Sequence, residues 1–401
     1  MYLKRLSLTN FRNLSRLDLE FPRRAVVLAG DNAQGKTSVL EAVYFLAAFT
    51  SFQSRAERQI INFHEAKNPL AVTRLAADYE RGRTKHRVEA RLILEPTGVN
   101  GQRLRKEILL DGVKRHVSDA VGRFNAAIFA PQMSHIIEGT PEERRRYLNL
   151  ALAQAVPAYA RVLSEYSQAL AQRNALLKAL NENGGNGGQL EVWDETLVRF
   201  GSQIIEWRIQ AVREIERFAS RIHYELTRGA ETLRLAYEPA YDPLPKPEMQ
   251  LGLKLDAPID RSAIELDEIR RGFLTRLKRI RGEEIARGAT TMGPHRDDLR
   301  FIINKADARD YGSRGQLRTA LLSLKLAEVE WMKERAGESP VILLDEVMAE
   351  LDPQRRADLL KYVSPESQAL FTATDTRFFT DEFLEQAEVW DVKGGVVAPR
   401  R

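Results

Sequence analysis

The sequence predicts a mixed α/β fold with an antiparallel β part, a parallel sheet core and an inserted helical lobe. Three observations predict this fold. A strand, a glycine-rich loop and a helix follow one another around residues 30–37, strands alternate with helices after residue 290, and two long helical arms lie between these segments. Alternating strands and helices are typical of a parallel sheet, and apolar spacings of three and four are typical of packed helices.

Composition narrows the classes of function. The 401-residue chain is 43% hydrophobic and 29% charged, an ordinary balance for a globular protein. It contains no cysteine, which excludes disulfides, thiolate catalysis, iron–sulfur clusters and thiolate zinc sites. The first residues lack the apolar core of a signal peptide, and no run approaches the length of a membrane span. We therefore expect a cytoplasmic protein with no membrane partner.

The net charge of +5 is compatible with an anionic partner. The cations are concentrated in four clusters: Arg103–Lys106, Lys114–Arg115, Arg144–Arg146 and Arg270–Arg281. Most such clusters are solvated faces, and the sequence alone does not show whether these four share one surface.

The most specific motif is the stretch GDNAQGKT, which matches the phosphate-loop pattern G-x-x-x-x-G-K-[ST] at every fixed position. Its residues are Gly30, Asp31, Asn32, Ala33, Gln34, Gly35, Lys36 and Thr37. Glycines let the backbone curl so that its N–H groups face phosphate oxygens. In this pattern Lys36 reaches the β and γ phosphates and the Thr37 hydroxyl binds Mg²⁺. The alternative, a glycine-rich surface turn, is disfavoured because an apolar strand precedes the loop and a helix follows it. The motif predicts a nucleotide site.

The segment up to residue 130 predicts mainly antiparallel strands. Apolar and polar side chains alternate on both sides of Asn10–Asn13, which predicts two short paired strands. Further hairpins are predicted for residues 71–79 with 87–94, and for residues 104–110 turning at Asp111-Gly112. A last strand ends at Phe129.

A helical segment follows. Thr140 and Pro141, with two glutamates after them, form a helix start, and Pro157 restarts the helix. Two arms joined by a turn at residues 181–188 carry apolar residues every three or four positions: Tyr159, Val162, Leu163, Tyr166, Leu170, Leu177 and Leu180, then Trp193, Leu197, Phe200, Ile204, Trp207, Ala211, Ile215, Phe218, Ile222 and Leu226. The pattern predicts a short antiparallel hairpin whose apolar stripes pack on each other. A proline-rich loop over 242–258 and a basic helix over 262–285 end the segment.

The last segment alternates between strands and helices. Strands are predicted at residues 299–303, 341–344, 369–372 and 389–392. One helix is predicted at 316–335, a second begins at 353, and a third follows the strand 369–372 and ends near 386. The second of these strands ends in Asp345-Glu346. Asp345 supplies the carboxylate that Mg²⁺ needs beside the Thr37 hydroxyl, and Glu346 is placed to orient or deprotonate the attacking water. Alone, this acidic pair is equally compatible with a helix cap; with the phosphate loop it predicts an ATPase.

The two motifs lie near opposite ends of the chain yet must meet at one nucleotide. The helical segment between them is therefore an insertion. We predict a discontinuous head formed by residues 1–130 and 290–401, and a helical lobe formed by residues 131–289.

A second anion-binding end is predicted where Ser313 to Gln316 precede a helix. These residues offer a hydroxyl and the N-terminal amides of the helix, without a second nucleotide motif. The chain then has two phosphate-binding helix ends, the phosphate loop and this one, but only one nucleotide motif. Both ends are accounted for if this end caps the γ phosphate of a nucleotide held by another copy of the chain. The alternative is an ordinary N-capped helix.

The stretch Ser313-Arg314-Gly315-Gln316 resembles the signature of ABC-type ATPases. Together with GPHRDD at residues 293–298, it makes the chain resemble the RecF family of bacterial DNA-gap repair ATPases. The resemblance spans nearly the whole chain, is weakest from 180 to 260, and includes Asn10–Asn13, Leu40–Ala42, Gly139–Pro141, Arg144–Arg146 and Glu350–Asp352. The chain departs from ABC transporters at Gly312 and Arg314, and in having Thr372–Asp375 where those proteins carry a switch histidine.

The resemblance implies an ABC-type ATPase head like those of Rad50 and SMC proteins, with ATP and Mg²⁺ as cofactors. It implies slow, DNA-dependent ATP hydrolysis that controls the lifetime of a homodimer. It also implies binding to single-stranded and gapped duplex DNA, cooperation with RecO and RecR in loading RecA, and support of SOS induction.

The resemblance further implies roles for individual residues. Arg12 and Asn13 lie near the nucleotide, and Asp352 is the residue of the D-loop. The signature residues act on the ATP of the partner copy: Ser313, Gly315 and Gln316. No chemical step is assigned to residues 293–298.

Other families fit less well. The ATPase subunit of a membrane transporter has the switch histidine and little helical insertion. A Rad50 or SMC tether needs far longer coiled coils, and a small-molecule kinase shares only the phosphate loop. Another Rad50-like or SMC-like ATPase of DNA metabolism is the main alternative.

Overall fold

We describe a computed structural model of the chain for residues 1–54, 56–97, 101–244, 259–363 and 367–400. The chain forms two compact units: unit 1 is Met1–Met133 with Glu328–Arg401, and unit 2 is Ser134–Ala327. The boundary between Ala327 of unit 2 and Glu328 of unit 1 falls inside one helix, Arg314–Ala336.

The strands are β1 Tyr2–Phe11, β2 Leu14–Glu20, β3 Val26–Ala29, β4 Ala71–Arg81, β5 Thr84–Thr97, β6 Gly101–Leu110, β7 Val113–Arg115, β8 Ala126–Phe129, β9 Leu233–Glu238, β10 Asp298–Ile303, β11 Ala306–Asp307, β12 Val341–Asp345, β13 Ala369–Ala373, β14 Glu388–Lys393 and β15 Val396–Pro399. The helices are α1 Lys36–Ala48, α2 Val117–Ala120, α3 His135–Glu138, α4 Pro141–Ala155, α5 Tyr159–Asn183, α6 Glu191–Leu226, α7 Leu266–Arg287, α8 Ala308–Tyr311, α9 Arg314–Ala336, α10 Val347–Glu350, α11 Pro353–Tyr362 and α12 Asp381–Gln386. Short 3₁₀ turns lie at Glu57–Ile60, Glu65–Lys67, Pro131–Ser134, Gly187–Leu190, Pro294–Arg296 and Thr376–Phe378.

Unit 1 contains an antiparallel sheet with the strand order β2-β1-β4-β5-β6-β7. The predicted hairpins are confirmed: β1 pairs with β2 across residues 12–13, β4 pairs with β5, and β6 turns into β7 at Asp111-Gly112. Alternating burial along β1 and β2 shows why the period-two pattern identified them, since one face of each strand packs inward.

A second sheet of unit 1 has the order β15-β14-β3-β13-β12-β8, in which the strands from β14 to β8 are parallel. The antiparallel part and the parallel core are therefore separate sheets. The edge strand β15 was not predicted, although Gly394-Gly395 before it is a hairpin signal. Central strands β3 and β13 are buried throughout, as expected of a sheet covered on both faces.

Helix α1 is buried on every side and contacts strands of both sheets. Its sequence, KTSVLEAVYFLAA, has almost no polar face, which is typical of a helix enclosed by other elements. This helix fixes the end of the phosphate loop, because the loop runs directly from β3 into its first turn.

In unit 2 the predicted antiparallel hairpin is confirmed as α5 and α6, which pack on each other and on α7. Most residues of the predicted apolar stripes are buried, and the others are partly buried: Leu163, Leu170, Trp193, Phe200, Trp207 and Phe218. The stripes also enclose two arginines. Arg173 lies between Asp194 (2.8 Å) and Glu284 (2.7 Å), and Arg208 pairs with Asp297 (2.8 Å). A sequence pattern marks buried positions and does not show which partners neutralise a buried charge.

Unit 2 also contains a small antiparallel sheet with the order β11-β10-β9. Strand β9 was missed by the sequence analysis, although its buried residues Leu233, Leu235 and Tyr237 alternate with less buried ones. The predicted basic helix begins at Leu266 rather than at 262. Most of the predicted loop 242–258 lies outside the described residues.

The compact units do not follow the predicted domain boundaries. Residues 290–327, which were predicted to belong to the head, lie in unit 2, and 131–133 lie in unit 1. The reason is that β10 pairs with β9 along its whole length, and that Ser323 of α9 contacts His223 of α6. Separately, each helix in the described part of the chain is too short or too polar to span a membrane.

Candidate nucleotide site

Two glycines of the phosphate loop are required by backbone geometry. Gly30 leaves β3, and a Cβ atom there would lie 2.3 Å from the Val392 carbonyl oxygen of β14. Gly35 has a φ of 110°, a conformation that glycine adopts without strain. The fixed glycines of the motif therefore allow the tight passage from β3 into α1.

Lys36 lies at the start of α1 with its side chain only 4% exposed. Its ammonium donates to the carbonyl oxygens of Gly30 (2.7 Å) and Asp31 (3.1 Å) and pairs with the Glu346 carboxylate (3.0 Å). A phosphate oxygen carries the same sign of charge as Glu346 and competes with it for this ammonium. In this structure the Lys36 ammonium is therefore paired with the Glu346 carboxylate.

The predicted Mg²⁺ ligands are in contact. Thr37 Oγ1 donates to Asp345 Oδ1 (2.7 Å), and Thr372 Oγ1 donates to the same oxygen (2.9 Å). Asp345 ends β12, Thr372 lies in β13 and Thr37 follows β3, so the carboxyl ends of three adjacent parallel strands bring them together. The two sequence motifs therefore meet. Sequence analysis did not assign Thr372 here; its signal was a threonine near the end of a buried strand.

Glu346 has a left-handed backbone conformation, with φ 53° and ψ 15°. Its N–H donates to Thr372 Oγ1 (2.9 Å), which holds this turn at the end of β12. Non-glycine residues in this region are strained, and such strain concentrates at functional sites. The turn places the carboxylate beside Lys36 rather than beside Asp345's hydroxyl partners.

The Asp345 carboxyl is nearly buried, and burial raises its pKa. Hydrogen bonds from Thr37 and Thr372 oppose this shift, the Glu346 carboxylate adds to it and the Lys36 ammonium opposes it. A buried carboxylate with a raised pKa is stabilised by a bound cation. A hydroxyl and a carboxylate are hard oxygen donors of the kind Mg²⁺ prefers, with water and phosphate as its other ligands. Thr37 and Asp345 therefore fit this metal.

Arg12 and Asn13 line the same cleft as the phosphate loop. Asn13 Oδ1 accepts a hydrogen bond from Ser38 (2.9 Å). Arg12 donates twice to the fully buried Glu41 carboxylate (2.8 and 2.6 Å) and once to the Gln59 carbonyl oxygen (2.8 Å). Three guanidinium N–H groups therefore hold the wall of the cleft together. The predicted roles of both residues at the nucleotide stay predictions.

The cleft has a volume of about 890 Å³ and includes a wall that sequence analysis missed. This wall follows α1 and consists of Gln59, Ile61, Asn62, Phe63 and His64. The Phe63 ring is 70% exposed, which is unusual for a large apolar side chain, and Lys67 Nζ lies 4.4 Å from its centroid. The only signal in the sequence is an aromatic pair after Ile60-Ile61, which is too common to identify a site.

The middle of the phosphate loop is held by the turn between β14 and β15. Gln34 Oε1 accepts the N–H of Gly394 (2.6 Å), and its backbone carbonyl accepts the N–H of Gly395 (3.0 Å). Asn32 and Ala33 line the cleft beside it. Ala33 has a φ of 63°, a left-handed conformation that is strained for a residue with a side chain.

Asp352 is the N-cap of α11. Its carboxylate accepts the Arg355 N–H (3.0 Å) and pairs with the Arg355 guanidinium (2.6 Å). These are the contacts of an ordinary helix cap. The predicted D-loop role of Asp352 stays a prediction.

The signature residues lie in unit 2 at the start of α9. The Gln316 N–H donates to Ser313 Oγ (3.3 Å), and the Ser313 N–H donates to Gln316 Oε1 (2.9 Å), which forms a capping box. Ser313 and Gly315 are exposed. The local geometry is that of a capped helix, and the predicted action of these residues on another copy's ATP stays a prediction.

Two further motifs pair with each other inside unit 2. Arg144 donates twice to Asp298 of the GPHRDD stretch (2.6 and 2.9 Å), and Arg145 donates to the Asp297 carbonyl oxygen (2.7 Å). These contacts join α4 to the start of β10. Arg144 and Arg145 therefore hold unit 2 together rather than forming an open cationic surface.

His295 of the same stretch is also held by structural contacts. Its ring nitrogens contact Tyr166 Oη (2.6 Å) and the Thr290 carbonyl oxygen (3.2 Å). Burial lowers the pKa of His295 to about 4, so the ring is neutral near pH 7. These contacts agree with assigning the motif no chemical step.

The chain matches the model of the RecF/RecN/SMC N-terminal domain over residues 2–396. It is 35% identical to the DNA replication and repair protein RecF of an Exiguobacterium species, with 99% of each chain covered. It is 36% identical to the protein of the same name from Roseiflexus castenholzii, with 100% of each chain covered.

Among solved structures, the chain is similar to the recombination mediator protein RecF with ATP in the RecFOR pathway, with a TM-score of 0.84, 30% identity and coverage of 100% of this chain and 98% of that one. It shares its fold with the Smc head domain of Pyrococcus furiosus, with a TM-score of 0.51, 16% identity and coverage of 100% and 96%. The predicted ABC-type ATPase head is confirmed, and the family supports ATPase activity. The chain belongs to the RecF family of DNA replication and repair proteins.

Proposed function

We propose that this protein binds ATP with Mg²⁺ at the Gly30–Thr37 loop and hydrolyses it slowly, in a DNA-dependent manner. The observation that carries the proposal is the meeting of Lys36, Thr37, Asp345 and Glu346 at one edge of the parallel sheet. The solved RecF structure with ATP, similar along the whole chain, supports it.

Each side chain has a role that follows from its contacts. Lys36 binds the β and γ phosphates, and Thr37 and Asp345 hold Mg²⁺, which neutralises phosphate charge when bound. Glu346, once phosphate replaces it at Lys36, orients or deprotonates the attacking water. Phe63 stacks on the base, because an exposed ring in the cleft offers a flat apolar face.

The proposal includes a homodimer in which Ser313 and Gly315 contact the ATP of the other copy. Ser313 Oγ accepts the Gln316 N–H, and a hydroxyl that accepts still has its own hydrogen to donate to a phosphate oxygen. Gly315 is exposed and has no side chain to obstruct a phosphate. The capped helix and the anion-binding end are therefore compatible. ATP holds the two copies together, and hydrolysis releases them.

The partner we propose is DNA at single-strand gaps and duplex junctions, with RecO and RecR loading RecA there and supporting SOS induction. The family and the RecFOR pathway of the similar structure support this. Helix α7 supplies exposed cations for phosphate contact: Arg271, Arg276, Lys278 and Arg279. Binding through phosphates weakens steeply with salt. Such a protein acts in the cytoplasm, where the bacterial chromosome lies.

Thermal stabilisation by ligands tests the nucleotide site. We expect Mg²⁺-ATP to raise the melting temperature of the wild type and not that of Lys36→Ala, while the exposed-lysine control Lys85→Ala responds normally. Phe63→Ala should respond less to ATP but equally to tripolyphosphate, because only the base contact is lost. A normal ATP response of Lys36→Ala would show that the phosphate-loop assignment is wrong.

A further inference from the structure

The signature glutamine is held at both ends of its amide group. Its Oε1 accepts the Ser313 N–H (2.9 Å), which closes the capping box at the start of α9. Its Nε2 donates to Glu231 Oε1 (2.9 Å). Because an amide has one acceptor and one donor end, the contact with Glu231 determines which end of Gln316 faces Ser313.

Glu231 is itself fixed by a buried histidine. It lies in the turn between α6 and β9, and its second oxygen, Oε2, is 3.2 Å from His223 Nε2. The His223 side chain is fully buried in the last turn of α6. The Glu231 N–H donates to Thr227 Oγ1 (3.3 Å), which in turn donates to the His223 carbonyl oxygen (2.8 Å). Both the backbone and the carboxylate of Glu231 are therefore positioned by the end of α6.

The other ring nitrogen of the histidine returns to the signature helix. His223 Nδ1 lies 3.2 Å from Ser323 Oγ, whose own hydrogen is donated to the Thr319 carbonyl oxygen (2.7 Å). Because the Glu231 carboxylate can only accept, His223 Nε2 donates to it, and Nδ1 contacts the Ser323 hydroxyl. The result is a closed series of hydrogen bonds from α9 through His223 and Glu231 to the first turn of the same helix.

We propose that Glu231, oriented by His223, is a positioning residue for the signature motif. It holds the Gln316 amide so that the capping box forms, which directs the Ser313 hydroxyl and the first amides of α9 at an incoming phosphate. This inference rests on the proposed function, in which that phosphate is the γ phosphate of ATP on a second copy of the chain. The contact also ties the signature to α6, one arm of the helical hairpin.

Removing the carboxylate has separable consequences. Without Glu231 the Gln316 amide is held only by the Ser313 N–H, so the capping box is weakened and the first turn of α9 presents a less fixed set of donors. Assembly of two copies around ATP then weakens. Binding of ATP to the phosphate loop of the same copy does not, because every residue of that cleft lies in unit 1.

A double-mutant cycle on ATP-dependent dimerisation tests the proposal. The dissociation constant of the dimer is measured by sedimentation velocity with Mg²⁺-ATP for the wild type, Glu231→Ala, Gln316→Ala and the double variant. We expect each single change to weaken the dimer roughly tenfold, the loss typical of a hydrogen bond to a charged group, and the double change to weaken it no further. The matched control is Glu238→Ala. Glu238 is an exposed glutamate of the neighbouring strand β9, and it pairs with Arg300 of β10.

A conservative variant separates positioning from folding. Glu231→Gln keeps an acceptor for Gln316, and its own amide can donate to His223 Nε2 when the ring hydrogen lies on Nδ1, beside the Ser323 hydroxyl. We expect it to dimerise like the wild type, whereas Glu231→Ala does not. Melting temperatures and ATP affinities of monomers should be similar across the set.

The outcomes distinguish the two proposals. A wild type that stays monomeric with ATP overturns the proposed function, and this inference with it. A wild type that dimerises, with single-variant effects that multiply in the double variant or with Glu231→Ala assembling normally, overturns only the positioning role of Glu231.

Discussion

At Asp345 a carboxylate is almost fully buried and accepts hydrogen bonds from two hydroxyl groups. Burial raises the pKa of Asp345 above the ordinary value of 3.8, so this carboxyl group binds a proton more tightly in the folded protein than in the unfolded chain. The ionised group therefore opposes folding near pH 7, and its unfavourable contribution disappears as the pH falls through the raised pKa. A cation bound beside this carboxylate would stabilise its charged form.

We expect Asp345→Asn to melt at the same temperature as the wild type or higher at pH 7 without nucleotide, because Asn still accepts from Thr37 and Thr372. This advantage should shrink as the pH falls towards 4, and stabilisation by Mg²⁺-ATP should be reduced. Thermal melting from pH 4 to 7 measures both effects. An advantage that does not change with pH would contradict the assignment of the buried charge.

Asp18→Asn is a control of opposite sign. The Ser7 hydroxyl and Arg5 hold the pKa of Asp18 below its ordinary value, so its ionised form stabilises the fold above that range. The Asp18 variant should therefore lose stability relative to the wild type as the pH rises from 3 to 5. The effect is small because this pair is exposed.

Some residues of the site could be identified from the sequence and others could not. The phosphate loop, Asp345 and Glu346 were identified because their motifs have fixed spacing. Thr372, Glu41 and Phe63 were not assigned to the cleft, because each depends on a neighbour that is distant in sequence or on an exposure that no pattern encodes. Glu231 has a single contact with the signature, across the turn that leads into β9.

At the scale of elements, α1 joins the phosphate loop to the wall of the cleft. Glu41 lies on this helix, is fully buried and accepts two hydrogen bonds from Arg12 and one from Ser51. Arg12 in turn holds the Gln59 carbonyl oxygen of the wall. The pair therefore fixes the distance between the second turn of α1 and the segment that carries Phe63.

Glu41→Ala should lower the free energy of unfolding by about 3 kcal/mol, because it leaves the partly buried Arg12 charge without its carboxylate. The matched control is Glu95→Ala, which removes an exposed partner of Arg105 and should cost less than about 1 kcal/mol. Urea denaturation followed by circular dichroism gives both values. Equal losses in the two variants would show that the buried pair is not a main support of the cleft.

The elements themselves were largely predictable. Period-two alternation found β1, β2, β4 and β5, and spacings of three and four found α5 and α6. Three of the described strands were missed, β9, β11 and β15. Each is short, and the partner of β9, strand β10, also lies far away in the sequence. The buried Arg173 and Arg208 interrupt stripes that otherwise read as apolar, since hydrophobic periodicity carries no information about ion pairs.

At the scale of the whole molecule, the nucleotide cleft belongs to unit 1 and the signature end to unit 2. Helix α9 begins with the signature and continues past the division between the units. The proposed dimer uses both ends at once, so that ATP bound by one copy is completed by Ser313 and Gly315 of the other. ATP is then the element that joins two molecules, and hydrolysis sets how long they stay joined.

Sedimentation velocity of the wild type and Ser313→Arg, with and without Mg²⁺-ATP, tests this central claim most directly. We expect the wild type to become dimeric with ATP, and Ser313→Arg to bind ATP normally but remain monomeric, because the larger side chain fills the place of the phosphate. Ser164→Arg, an exposed serine on α5, should dimerise like the wild type. A wild type that stays monomeric with saturating ATP, or a Ser313→Arg variant that dimerises normally, would contradict the account.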